Sequence, residues 1–257
     1  MLLTDDYIVQ FWIGLMDGDG SIQVNHWCRS LLQYRIVLKL SNKVENVNML
    51  QTLQKKIGGR VSFQKNKVIW VENYKKNVTT KLRLFQRFAP PLTTRLQCQI
   101  DFALLCLEKN DVNWYLENRH LKYSNCLVPT DPVSLERGTV RQTARSSNQR
   151  IDWPKGYAPW LSGFIGTQST LAVRQNGNHS FSIRTTKRCL YLLESILFYL
   201  QGTFSLLKND FYEIQISRKQ TLHLLVSLLT QPKVRPLLGY KHVQFLRFLL
   251  HLKETPL

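Results

Sequence analysis

Two carboxylates, Asp17 and Asp19, end the apolar stretch FWIGLMDGDGS at residues 11–21. A second stretch, PWLSGFIGTQST at 159–170, repeats the outline, with Gly163 in the place of Gly14. There the two acids are replaced by Gly166 and Gln168. Both stretches read as helices, and acids at a helix C-terminus oppose the macrodipole. Asp17 and Asp19 therefore cost stability unless they do something else. A carboxylate in such a place is a candidate ligand for a hard divalent cation. A glutamine can offer only a neutral carbonyl oxygen. Other chemistries find little support. His26, His120, His179, His223, His242 and His251 form no triad or ligand pattern. The cysteines, Cys28, Cys98, Cys106, Cys126 and Cys189, show no CxxC and no paired Cys/His spacing, so they read as reduced and mostly buried rather than as a zinc site.

The surroundings of these acids are strongly basic. The chain has 257 residues, 44% hydrophobic, enough for one large domain or two small ones with real cores. Its 35 Lys and Arg against 17 Asp and Glu leave a formal charge of +18, which points to a polyanionic partner, nucleic acid first. A basic membrane-surface protein is the main rival. No apolar run reaches the length of about 18 residues that a spanning helix needs. The leucine-rich LHLLVSLL and FLRFLLHL are short and read as core-facing helices. The start, MLLTDDYIVQ, holds two acids and no basic segment, unlike a secretory signal or an organelle presequence. The expectation is a protein that is cytosolic, encoded inside its own compartment, or already processed.

The elements that must position the acids repeat along the chain. A helix over 7–18 precedes strands in SIQVNHWC (21–28) and QYRIVLKL (33–40). In the second strand Tyr34, Ile36, Leu38 and Leu40 share one face, and Gln33, Arg35, Val37 and Lys39 the other. A helix follows from Val44 and is stopped by Gly58 and Gly59. Strands at 60–64 and 68–74 and helices at 76–88 and 93–109, split at Pro90-Pro91, complete the first half. The stretch 110–155 holds a short helix in NWYLENRHLKY and a Pro-, Ser-, Gly- and Arg-rich run that reads as a linker. The second half repeats the order. It has a helix at 157–168, strands at 170–177 and 179–188, a helix at 189–202, strands in TFSLLKN and FYEIQIS, and closing helices in RKQTLHLLVSLLT and GYKHVQFLRFLLHL.

WIGLMDGDG (12–20) resembles the LAGLIDADG motif, and LSGFIGTQS (161–169) resembles a degenerate second copy. The order of elements is similar to that of two-repeat LAGLIDADG homing endonucleases and their intron-maturase relatives. YRIVLKLSNK, IGGRV, PPLTTRLQCQIDF, YLENRHLKY and LLGYKHVQF support the resemblance over nearly the whole chain. It implies an α+β fold of two pseudo-symmetric subdomains, each αββαββα, whose antiparallel sheets form a saddle. The expected divisions are an N-terminal subdomain (1–110), a basic linker (111–155) and a C-terminal degenerate subdomain (156–257).

The resemblance also assigns roles. The motif helices pack together through Gly14 and Gly163, with Gly18 and Gly166 also small. Asp19 takes the catalytic, Mg²⁺-binding position of the first motif, and Gln168 the same position of the second. Asp17 is a structural or hydrogen-bonding residue of the motif. The family places a basic residue in each pocket near the start of each half's last helix. Lys241 fits that place in the second half; in the first, Cys98 falls on the matching position and Arg95 lies about a helical turn away. On this reading the first repeat keeps its acid and lacks its lysine, and the second does the reverse. Double-strand cleavage is then lost or weakened, and Mg²⁺ matters only where nuclease activity survives.

On the expected polar strand faces lie Gln33, Arg35, Lys39 and Arg60 in the first half and Arg174, Ser182, Arg184 and Arg188 in the second. With the net charge of +18 these are assigned to nucleic-acid contact rather than to a merely solvated face. Trp27 and Trp70 are assigned to core or edge packing rather than to stacking on unpaired bases. The favoured present partner is RNA, bound as an intron maturase or as a structural component of an organellar ribonucleoprotein such as a ribosome. The alternative is a site-specific DNA endonuclease or nickase, and a third is a DNA-binding relic that does not cut. The expected protein is a monomer, alone or within a larger ribonucleoprotein. The family's usual setting implies a mitochondrion or chloroplast and encoding within the organelle.

Overall fold

The computed structural model describes residues 4–88, 92–124, 156–173, 179–200, 211–230 and 238–254. The first helix, α1 (Asp5–Asp19), is capped by Thr4, whose side chain accepts from the Tyr7 N–H at 3.3 Å. It runs straight into strand β1 (Gly20–Trp27), which pairs with β2 (Leu31–Ser41). Helix α2 (Val44–Ile57) and strands β3 (Arg60–Gln64) and β4 (Lys67–Glu72) follow, then helices α3 (Lys75–Phe88), α4 (Thr94–Lys109) and α5 (Val112–Asn118). The sheet is antiparallel, with strand order β1-β2-β4-β3.

The second half starts with α6 (Tyr157–Gln168), which leads into β5 (Ser169–Ala172). After β6 (Ser180–Thr186) come α7 (Leu190–Leu200), β7 (Phe211–Ile216), α8 (Lys219–Thr230) and α9 (Tyr240–Glu254). Here β6 pairs with both β5 and β7, as β2 pairs with both β1 and β4. The strand expected in TFSLLKN, the Pro90-Pro91 break and Arg174 lie outside the described residues. The architecture is α+β, as expected, with an antiparallel sheet in each half.

Local chemistry accounts for the breaks between elements. Helix α2 stops because Gly58 adopts φ +75°, a left-handed conformation that costs glycine little. Gly59 then passes so near Trp70 that a Cβ would fall 2.6 Å from the indole. The Trp70 N–H donates to the Gly58 carbonyl at 2.9 Å, which ties the turn to β4. Trp70 is fully buried and meets Trp12 edge to face. Beneath it Lys81 donates to Glu72 at 3.0 Å, an ion pair with both side chains more than nine-tenths buried. Hydrogen bonds from Lys81 and the Tyr74 backbone outweigh burial and hold the Glu72 carboxyl below its ordinary pKa.

The linker expected from residue 111 starts as ordered structure. Asp111 caps α5, and buried Tyr115 donates to the Val24 carbonyl at 2.8 Å. Lys122 donates to the Ile22 carbonyl at 3.2 Å. Both bonds fall on β1, the sheet edge, and occupy acceptors that would otherwise stay open. Residues 125–155 lie outside the described residues. Cys98 is disulfide-bonded, contrary to a fully reduced set, whereas Cys28, Cys106 and Cys189 are free thiols. One apolar core, from Ile8 and Trp12 through Trp160 and Phe248, runs through both halves. Among the described residues, no helix is long and apolar enough to cross a membrane.

Candidate functional site

Helices α1 and α6 form the spine on which the site is built. Gly14 lies against the backbone of α6: a Cβ there would sit 2.0 Å from the Trp160 carbonyl oxygen. Gly163 mirrors it, with a Cβ 2.1 Å from the Phe11 carbonyl oxygen. Backbone meets backbone at both positions, so neither tolerates a side chain unless the helices separate. Gly18 faces Thr167, where the obstacle is the threonine side chain. Gly166 is different. A Cβ there would lie 3.4 Å from a Leu15 methyl, so close packing does not demand glycine as expected.

This crossing brings the ends of the two helices together. Gln168 donates its amide to the Asp19 carboxylate at 3.4 Å, across 149 residues of sequence. Among the described residues Asp19 is thus the lone carboxylate at this contact, and the group opposite it is neutral. Partial burial raises the Asp19 pKa, and the charges of Arg95, Lys67 and Lys241 oppose that rise. Lys241 donates to the Ser169 carbonyl at 2.7 Å, the residue just after Gln168. Burial lowers its pKa and Asp19 opposes the shift. A cleft of about 190 Å³ opens here, lined by Asp19, Ser41, Asn46, Thr167, Lys241 and Gln244 among others.

In the first half the basic residue beside the motif helix is Arg95; Cys98, on the aligned position, is disulfide-bonded. The Arg95 guanidinium donates to the Gly20 carbonyl at 2.6 Å and to those of Asp17 and Gly18 at 2.8 and 3.2 Å. It satisfies the carbonyls that the end of α1 leaves open and puts a cation where the dipole is negative. Gly20 follows Asp19 as Ser169 follows Gln168, so Arg95 and Lys241 hold equivalent carbonyls in the two repeats. Arg95 thus brings a cation beside Asp19 in the first repeat, where the aligned position carries no lysine. The resemblance aligns Cys98 with Lys241, and Arg95 lies one turn before it on α4. Lys67, exposed at the start of β4, was not anticipated, since nothing local marks it.

Asp17 is wholly buried, and one of its oxygens accepts from the Thr93 N–H at 2.9 Å and the Thr93 hydroxyl at 2.6 Å. It fastens the start of α4, and so Arg95, to the motif helix. This fits the structural role expected for it. Burial raises its pKa to about 6, against the lowering effects of Thr93, Arg95 and Trp160. The unfolded carboxyl releases its proton near 3.8, so from there to about pH 6 the folded chain holds one proton more. Stability should fall as pH rises through that window and level off above it, by about 3 kcal/mol at most. Denaturant titrations at several pH values should show this slope in the wild type and its loss in Asp17→Asn; an unchanged slope would refute the assignment.

The predicted contact residues are spread over two sheet faces. Gln33, Arg35 and Lys39 are exposed along β2, Gln33 opposite Asn25 and Arg35 opposite Gln23. Arg60 is exposed on β3. Val37, on the same face, is buried with Ile69 and Val71 in a small apolar patch. Ser182 is half-buried on β6, and Arg184 is exposed with its guanidinium 4.3 Å from the Phe211 ring centre. Arg188 is exposed but lies in a single 3₁₀ turn after β6 rather than on a strand face. Trp70 is core; Trp27, on the edge strand, is 62% exposed opposite exposed Leu31, so packing does not explain it.

A family profile described as LAGLIDADG endonuclease matches residues 12–106. The probable intron-encoded endonuclease aI3 of Dictyostelium citrinum is 32% identical, covering 96% of this chain and 96% of its own length. Its Debaryomyces hansenii namesake is 33% identical over 95% of this chain, which spans only 38% of that longer protein. Among solved structures, the LAGLIDADG meganuclease I-AabMI bound to uncleaved DNA superposes with a TM-score of 0.65 at 17% identity, covering 95% of this chain and 90% of that one. I-GzeII in complex with its DNA target gives 0.66 at 12% identity, covering 98% and 90%. At those identities the structures share the fold with this chain. With both motif helices crossed through Gly14 and Gly163, and a near-full-length relative at 32% identity, the chain belongs to the LAGLIDADG endonuclease family.

Proposed function

We propose that this protein binds nucleic acid as an intron-associated member of the family, with double-strand cleavage weakened or lost, and that its present ligand is RNA. The observation that carries the reading is the Gln168 amide donating to Asp19, an acid otherwise surrounded by the charges of Arg95, Lys67 and Lys241. Two facing acids would offset a divalent cation; one acid and one amide offset half as much charge. The donor set fits Mg²⁺ only weakly. Asp19 would hold it, with water and substrate phosphate filling the remaining positions, as small hard cations accept. Bound there, Mg²⁺ would polarise a phosphate and activate water. Arg95 and Lys241 stay in place without any metal, held by backbone carbonyls, and supply positive charge toward a phosphate backbone.

RNA is favoured because binding through phosphates and exposed basic strands needs no catalytic metal. Exposed Trp27 at the end of β1 adds a surface on which an unpaired base could stack. The relatives' intron-encoded character suits assistance to intron folding, a ribonucleoprotein component and an organellar setting. A second reading, a DNA nickase, gains from Arg95: with Asp19, that repeat holds both its acid and its cation.

Crosslinking the native protein and sequencing the nucleic acid that copurifies tests the choice. An intron or ribosomal RNA as the dominant species is expected. Duplex DNA from one locus would overturn the RNA reading and direct attention to Mg²⁺-dependent nicking at that site.

A further inference from the structure

The start of α9, which carries Lys241, is capped from the other half of the molecule. Gly239 precedes the helix at φ +72° and has no side chain to cap it. The Asn46 side-chain oxygen instead accepts from the Tyr240 N–H at 2.9 Å, a contact across 194 residues. Asn46 is buried, and its amide donates to the Ser41 carbonyl at 3.0 Å and the Ser41 hydroxyl at 3.1 Å. Its orientation is therefore fixed from the first half. A Cβ at Gly239 would lie 2.8 Å from the same Asn46 oxygen, and the Lys43 ammonium sits 5.5 Å from the Tyr240 ring centre. Lys241 is the next residue in the helix.

The reverse contact exists as well. Tyr191, in α7 of the second half, donates its hydroxyl to the Leu92 carbonyl, just before the helix that carries Arg95. The Thr94 hydroxyl meets the Cys189 sulfur at 3.4 Å. Each basic residue of the candidate site thus rides on a helix whose start is gripped by the opposite half.

We propose that Asn46 is a positioning residue that sets Lys241 against the Ser169 carbonyl from the other half of the molecule, so that the two half-sites assemble together. The consequence for nucleic-acid chemistry rests on the role proposed for Lys241. The contact itself is tested without nucleic acid, so either idea can fail alone.

The test is site-resolved acylation of lysines at one fixed pH, read by mass spectrometry, with hydrogen exchange over 240–244, in the full chain. Asn46→Leu removes the acceptor; Asn46→Asp keeps it. Lys241 labelling and exchange at the start of α9 should rise about fivefold in Asn46→Leu, the effect of one lost buried hydrogen bond. Exchange at the start of α9 should recover part of the way in Asn46→Asp, which keeps the acceptor but loses the two bonds to Ser41, with exposed Lys39 labelled equally throughout. Unchanged Lys241 protection in folded Asn46→Leu would overturn the proposal. Should Asn46→Leu not fold, shown by labelling of buried Lys81, Gly239→Ala takes its place. Its Cβ pushes on the Asn46 oxygen, and unchanged Lys241 protection there would equally refute the idea.

Discussion

Replacing Gly14 by valine should cost more than about 4 kcal/mol, enough to abolish cooperative unfolding of the chain at room temperature. The first added carbon would sit 2.0 Å from the Trp160 carbonyl oxygen and 2.7 Å from the Phe164 nitrogen. Both obstacles are backbone atoms of α6, which cannot rotate away as a side chain can. Relief requires α1 and α6 to move apart. That would open the packing of Phe11, Leu15, Trp160 and Phe164, all fully or almost fully buried. It would also part Asp19 from Gln168, since these residues end the same two helices. Denaturant unfolding followed by circular dichroism provides the measurement. Gly166→Ala is the control, expected within about 0.5 kcal/mol of wild type because its Cβ makes only an ordinary contact with Leu15. A near-native midpoint for Gly14→Val would mean that the helix pair is not built as described.

Replacing Gln168 by aspartate should create a divalent-cation site that the wild type holds weakly. The amide that now donates to Asp19 would become a second carboxylate on the same junction. Without metal the two negative charges repel, and the variant should melt below the wild type. With Ca²⁺ the order should reverse, and affinity from calorimetric titration should rise about tenfold or more, as expected when a second carboxylate joins a hard cation's ligands. Asp19→Asn in the same background should remove the gain. If the protein also cuts duplex DNA, Mg²⁺-dependent cleavage should rise with Gln168→Asp. It should fall about a hundredfold with Asp19→Asn, the scale of losing about 3 kcal/mol of charge stabilisation. A Ca²⁺ affinity indifferent to residue 168 would show that metal, where it binds at all, is not shared across the helix pair.

Parts of this arrangement were legible in the chain before any fold was known. The IGGR sequence placed the end of α2 and the start of β3, because two glycines permit a turn that other residues resist. Alternation in QYRIVLKL sorted Tyr34, Ile36 and Leu38 to the core. The same alternation put Val37 on the polar face, yet it is buried against Ile69 and Val71. A period of two states which side of a strand a residue occupies; the neighbours on adjacent strands decide whether that side is wet.

The pocket cation was harder to place. Counting along α4 favoured Cys98 over Arg95, and both lie within one turn of a regular helix. What brings Arg95 to the end of α1 is the position of the helix start, set by Asp17 on Thr93 and by Tyr191 on Leu92, contacts that span 76 and 99 residues. Asn46 carried no local sign of its task, because the N–H it caps belongs to Tyr240, 194 residues on.

By itself, then, the sequence determined the elements, the two motif helices with their close-approach glycines, and the missing second acid. Hydrophobic period, glycine placement and side-chain charge are local properties and act within a few residues. Only the tertiary structure decided which groups come together: Asp19 beside Gln168, Arg95 at the end of the first motif helix, and Asn46 on the start of the helix that carries Lys241. Those pairings depend on how two halves of one chain pack across a single helix crossing, a geometry that no local spacing encodes.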